Sequence, residues 1–160
     1  MSYYNIDDEG FWGIGPEDEE TSFSRKLAEA MDLTMARFPL GDPNDGATPM
    51  ASVLYMPPGY LLWRHMHNCY RFEAIIKGSV MSGDRELGPG DIMVTKPNEP
   101  YGPYTVGPEG LVTVEIFSRT DEMGFATVED TDPEQERWLR SLLDSEDPEL
   151  AAAAKWALRF

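Results

Sequence analysis

Both histidines of this 160-residue chain sit two positions apart, His65 and His67, in the run Gly59-Tyr-Leu-Leu-Trp-Arg-His65-Met-His67. On an extended strand side chains alternate with period two, so both imidazoles share a face. Neutral imidazole is the commonest protein ligand for first-row transition metals, and two on one face make half of a metal site. The rest depends on the strands and turns that follow.

From Met50 to Ser118 the chain reads as short strands broken by proline and glycine: Ala51–Met56, Tyr60–His67, Arg71–Ile76, Ser79–Met81, Asp91–Thr95 and Leu111–Phe117. Turns are expected at Pro57-Pro58-Gly59, Lys77-Gly78, Ser82-Gly83-Asp84, Gly88-Pro89-Gly90 and Pro97-Asn98-Glu99-Pro100. Strands this short and closely spaced predict an all-β sandwich or small barrel. The gaps leave no room for the helical crossovers of a parallel sheet. Residues 1–49 read as an acidic arm carrying Tyr3, Tyr4, Phe11 and Trp12, then a short helix over 21–31 capped by Thr21 or Ser22, then an edge strand over Asp32 to Leu40. An arm with aromatic residues is expected to pack on the body or on a partner subunit. Residues 119–160 form a helical extension: Asp132-Pro133-Glu134 starts one helix with Trp138, Leu139, Leu142 and Leu143 at helical spacing, and Pro148 opens a second.

The formal net charge is −16, with seven acids and no Lys or Arg in residues 1–20. Residues 50–118 carry seven acids against five bases, a net of only −2, so the acid lies mostly outside the expected core. Such a chain repels nucleic acid and anionic membrane surfaces, whose binding depends on Lys and Arg. The charge reads as a solvated surface, with adaptation to an acidic or saline medium the alternative. No apolar run is long enough to span a membrane, and the N-terminus lacks the basic and apolar regions of a secretory signal. A cytoplasmic protein is the expectation. Cys69 is the only cysteine, which rules out an internal disulfide and a thiolate cluster; it reads as a structural thiol. Neither a dinucleotide fingerprint nor a P-loop nor a nucleophile elbow occurs, so no nucleotide cofactor is expected.

The stretch 50–118 resembles the cupin superfamily, small double-stranded β-helix (jelly-roll) barrels known by two motifs. Gly59, His65, His67 and Gly78 match the first in register, and Gly88-Pro89-Gly90-Asp91 with Pro97 matches the start of the second. The resemblance implies a barrel at 50–118, with the arm and the helices outside it. It also implies a small-molecule ligand in the lumen, a divalent metal (Fe, Mn or Zn), and dioxygenase-, isomerase- or cyclase-like chemistry. In the same register Arg71 stands where cupins carry a metal-binding glutamate, and Tyr101 aligns with the histidine of the second motif. Arginine stays protonated and cannot ligate a cation.

Glu73, two residues on from Arg71, shares its face and offers a replacement carboxylate, giving a set of two histidines and one carboxylate. It lies about 6–7 Å further along the strand, a gap that a bulge at Asn68-Cys69-Tyr70 closes. The alternative is an Arg71–Glu73 pair that competes for that carboxylate. This register sends Arg71 and Glu73 inward, although simple amphipathicity would bury Tyr70, Phe72, Ala74 and Ile76 instead. The outer faces are then covered by dimerisation or by the C-terminal helices.

Tyr101 and Arg71 are candidates for orienting a substrate, Arg71 through an anionic group and Tyr101 as hydrogen-bond donor or general acid, with a capping aromatic the alternative for Tyr101. Leu61 and Trp63 share the histidines' parity and are expected to line the cavity or the core, and Glu115 is a further inward carboxylate. Arg64 and Met66 point away. Two functional readings follow: a metal-dependent enzyme acting on a small organic molecule, or a ligand-binding or regulatory cupin without its metal. A homodimer is expected.

Overall fold

The structure is a computed structural model and describes residues 1–17, 19–121 and 133–158. Helix α1 (Glu19–Ala30) is followed by strands β1 (Thr34–Pro39), β2 (Met50–Met56), β3 (Leu61–Leu62), β4 (Arg71–Ser82), β5 (Arg85–Leu87), β6 (Ile92–Thr95) and β7 (Tyr104–Phe117), then α2 (Pro133–Leu142) and α3 (Pro148–Ala157). All pairings are antiparallel. The sheet runs β1-β2-β7-β4-β5, with β3 also on β7 and β6 also on β4. Its two ends, β1 and β5, do not pair among the described residues, so the expected barrel is an open β-sandwich wrapped around one interior. Met56, Leu62, Ile75, Val80, Leu87 and Leu111 meet there from five strands.

The two long strands form the spine. The stretches expected at Arg71–Ile76 and Ser79–Met81 are one strand, continued through irregularities between Ile75 and Lys77 and between Gly78 and Val80. Lys77-Gly78 is therefore a bulge and not a turn, because the chain bends there without leaving β7. Gly78 has φ +77°, and a Cβ on it would meet the Gly110 carbonyl oxygen at 1.8 Å. Only glycine permits that crossing. β5 was not expected from sequence: three residues after a Gly83-Asp84 turn leave no periodic signal.

Across the sheet the register stacks inward-facing rows. One row is Arg37, Ser52, Glu115, Glu73 and Met93, the next Met50, Phe117, Arg71 and Thr95, and a third Met35, Leu54, Thr113 and Ile75. The charged residues of these rows thus fall in two adjacent ones, and Thr113 brings a buried hydroxyl into the third.

The arm adds an edge to β1, Gly13 donating to the Met35 carbonyl at 3.0 Å and Arg37 to that of Ile14 at 2.8 Å. Tyr4 and Phe11 pack on Phe38, and Trp12 on Tyr55, over the outer face of β1 and β2. α1 begins at Glu19, ahead of the caps expected at Thr21 or Ser22. α1 buries Leu27 against Leu139 of α2 and Ala153 and Trp156 of α3. Lys26 also reaches Asp147, the α3 cap, at 2.9 Å. The helix start expected at Asp132 lies outside the described residues, and α2 is described from Pro133.

Candidate functional site

The site takes its shape from a short strand and a bridge. The strand expected over Tyr60–His67 survives only as Leu61–Leu62. The chain then leaves the ladder and returns at an isolated bridge, where His65 and Tyr101 exchange backbone hydrogen bonds of 3.0 and 2.9 Å. This break shifts the alternation. Leu62 is buried and lines the cavity, whereas Leu61 is 44% exposed. Trp63 is half-buried against Trp138 of α2 and does not line the cavity. The expectation for Leu61 and Trp63 is thereby corrected: a two-residue strand cannot carry its parity forward to the histidines.

His65 and His67 are both buried, their rings edge-on with centroids 5.2 Å apart. His65 Nδ1 lies 2.8 Å from the Trp63 carbonyl oxygen, which can only accept, so Nδ1 carries the proton and Nε2 the lone pair. His67 Nε2 hydrogen-bonds the Tyr101 hydroxyl at 3.0 Å. Burial lowers the His65 pKa to about 3, helped by the nearby His67 and Arg71 and opposed by the Trp63 carbonyl. Burial likewise raises Tyr101 well above its ordinary value, against the pull of Arg71. Tyr101 is therefore a neutral phenol here and a poor acid.

Arg71 is the centre. It is 1% exposed, with Nε 3.1 Å and Nη2 2.7 Å from Glu115 Oε1, Nη2 also paired to Glu73, and its guanidinium 4.4 Å from the centroid of the Tyr101 ring. Burial works against its charge but is outweighed by Glu115, Tyr101 and Glu73, so its pKa is raised. Nη1 is buried without a partner. Glu73, 1% exposed, moves up because of burial, against the pull of Arg71. Two carboxylates share one guanidinium, and Glu73 is the more buried of the two.

The structure thus brings His65, His67, Tyr101, Arg71, Glu73 and Glu115 together but does not assemble the metal set. The Glu73 carboxylate is held by Arg71, and His67 is turned to Tyr101. No group of three His, Cys, Asp or Glu among the described residues is arranged to hold a metal ion. The donor set does not fit a divalent cation, because the guanidinium occupies the position from which a third ligand would come. Arg71 is equally unsuited to the anionic substrate group expected of it, since two carboxylates already use its charge.

A cavity of about 370 Å³ opens beside this cluster. His65, His67, Tyr101 and Glu115 line its polar end, and Met31, Leu33, Met35, Met50 and Leu54 much of its apolar wall. Ser24, Ala28 and Met31 from the α1 side and Trp156 of α3 roof it. Sequence reasoning missed Ser52 and Arg37, also in the wall. Their signal was cross-strand register with Glu115, which a single strand's pattern does not contain.

The first motif spans β3 and the start of β4, the second the turn after β5, β6 and the loop to Tyr101, and the His65–Tyr101 bridge joins them over a shared interior. The fold is a cupin fold. No protein-family model and no curated protein matches the chain. Among solved structures, oxalate decarboxylase from Bacillus subtilis aligns at 14% identity and TM-score 0.46, over 55% of this chain and 25% of the decarboxylase. KdgF from Halomonas sp. aligns at 18% identity and TM-score 0.47, over 76% of this chain and 97% of its own. An RmlC-like cupin protein from Ralstonia eutropha aligns at 19% identity and TM-score 0.45, over 69% and 74%. This chain spans only a quarter of the decarboxylase.

Replacing Arg71 by Met leaves two buried carboxylates without their cation and is expected to cost about 3–5 kcal/mol. Denaturant unfolding of Arg71→Met, Glu73→Gln and the double variant measures this. The double variant should recover more than about 1 kcal/mol of the loss, as residues of one network do; additive losses count against the network.

For His65 the folded value near 3 lies below the ordinary 6.5, so folding favours the neutral ring. Its contribution is present above pH 6.5 and is lost as pH falls toward 3, by up to about 1.4 kcal/mol per pH unit. A His65→Asn variant should show a flatter acid limb in stability against pH; identical limbs would sink the assignment.

Proposed function

We propose that this cupin binds a small organic molecule in the cavity beside His65, His67 and Tyr101, without a metal held by His65, His67 and Glu73. The observation that carries the reading is the Arg71 guanidinium, ion-paired to Glu73 and Glu115 and stacked on Tyr101. It supplies from the protein the positive charge that a bound cation would bring. A binding or regulatory role follows more directly than catalysis, because Tyr101 is a poor acid and Arg71 is already paired. The competing reading is an Fe-, Mn- or Zn-dependent enzyme. Elemental analysis of the purified protein, with and without loading by each metal, separates the two. The expected result is well under one equivalent, unchanged in a His65→Ala/His67→Ala variant. One equivalent that the double variant loses would overturn the metal-free reading.

The chain also pairs with a second copy of itself, in our proposal, through the outer face of β4, β6 and β7. Phe72, Val94 and Ile116 form one cross-strand row there and Ala74, Ile92 and Val114 the next. Ile92 and Val94 are 59% and 65% exposed. No charged side chain occurs in these two rows, although the chain as a whole carries −16. A contiguous apolar patch of this kind marks an interaction surface, and this is the face on which two such acidic chains meet without repulsion. The arm already covers the β1–β2 part of the same outer face. Light scattering after size-exclusion chromatography should give twice the chain mass for the wild type. Phe72→Asp/Val94→Asp should give the monomer mass with its far-UV circular dichroism kept. A monomeric wild type at micromolar concentration would defeat the pairing.

A further inference from the structure

Within the cavity one polar group has no use in the fold. The Ser52 hydroxyl is buried, has no hydrogen-bond partner, and belongs to a residue that lines the cavity at 5% exposure. Buried hydroxyls are normally paired, and leaving one unpaired is costly. Its neighbours follow from register: Arg37 opposite it on β1 and Glu115 opposite it on β7, each about 5 Å away between strands. Both line the cavity too. Arg37 donates to the Ser24 hydroxyl at 2.7 Å, and Glu115 accepts from Arg71 through Oε1. Ser52 therefore stands between a cation and an anion, at the edge of a wall made of Met35, Met50 and Leu54.

We infer that the ligand carries an uncharged head group able to donate and accept hydrogen bonds, a hydroxyl or a carboxamide, seated on Ser52 between Arg37 and Glu115, with an apolar body along the methionine-rich wall. This deepens the pocket reading above and rests on it. A carboxylate at Ser52 meets Glu115, and an ammonium meets Arg37; each also brings a net charge into a largely apolar cavity, where an unpaired charge is disfavoured. A hydroxyl or amide satisfies Ser52 and repels neither neighbour. The oxygen accepts from the serine or the guanidinium, and the O–H or N–H donates toward the carboxylate. The volume of about 370 Å³ suits a compact ligand.

The test is a matched series on the full chain at neutral pH: hexanol, hexanamide, hexanoate and hexylammonium, titrated by proton–nitrogen NMR. Hexanol and hexanamide should shift cavity resonances and bind at least about tenfold more tightly than either charged member. Ser52→Ala, a change too small to endanger folding, should erase that preference. Glu115→Gln should raise hexanoate affinity relative to hexylammonium, and Arg37→Gln should do the reverse. A charged member binding as well as the neutral ones, or a preference that Ser52→Ala leaves intact, overturns the head-group assignment while the pocket reading stands. Failure of all four to perturb any cavity resonance overturns both.

Discussion

A guanidinium buried to 1% exposure has to be answered by everything around it, and in this chain the interior is arranged around that one demand. Arg71 needs anions, and the register of β4 against β7 supplies two: Glu73 from its own strand and Glu115 from the strand beside it. It needs its flat face covered, and the Tyr101 ring does so. Tyr101 then turns its hydroxyl to His67, while its backbone clamps His65. The cost of desolvating three charged groups is high, and such a cluster is weak evidence for stability. It does fix one arrangement of strands: a one-residue slip of β4 would send Arg71 and Glu73 to the face of Phe72 and Ala74.

The same cluster explains why the paired histidines carry their expected chemistry only part of the way. Two imidazoles on one wall remain, but the third donor is bound to an arginine that stands where a carboxylate ligand would. The interior is polar at this point, but its positive charge is the protein's own guanidinium. What is left open lies one row over, at Ser52, with charges on both sides.

Much of this was legible in the chain. The turns at Pro57-Pro58-Gly59 and Gly88-Pro89-Gly90, the spacing of His65, His67 and Gly78, and the inward parity of Arg71 and Glu73 are local signals, and strands reproduce local signals. Where the reading failed, the determining partner was distant in sequence. Leu61 faces outward because the strand ends where β7 stops pairing with it. The break at Lys77-Gly78 became a bulge because Gly110 lies directly opposite. The Arg71–Glu73 alternative was visible from spacing of two, but Glu115, which tips the carboxylates toward the arginine, arrives from 44 residues away. Ser52 and Arg37 gave no signal at all; each is an ordinary strand residue until the register aligns them.

The roof of the cavity joins two distant stretches of the chain. Ser24 and Ala28 come from α1, Met31 follows it, and Trp156 comes from α3; these two helices share an apolar core and are latched by Lys26 and Asp147. They pack as one layer, so the cavity wall away from the sheet is set jointly by a helix that precedes the sheet in sequence and one that follows it. Residues far apart in sequence thus form one cover, and a substitution in the core that α1 and α3 share reaches the cavity wall from outside the sheet.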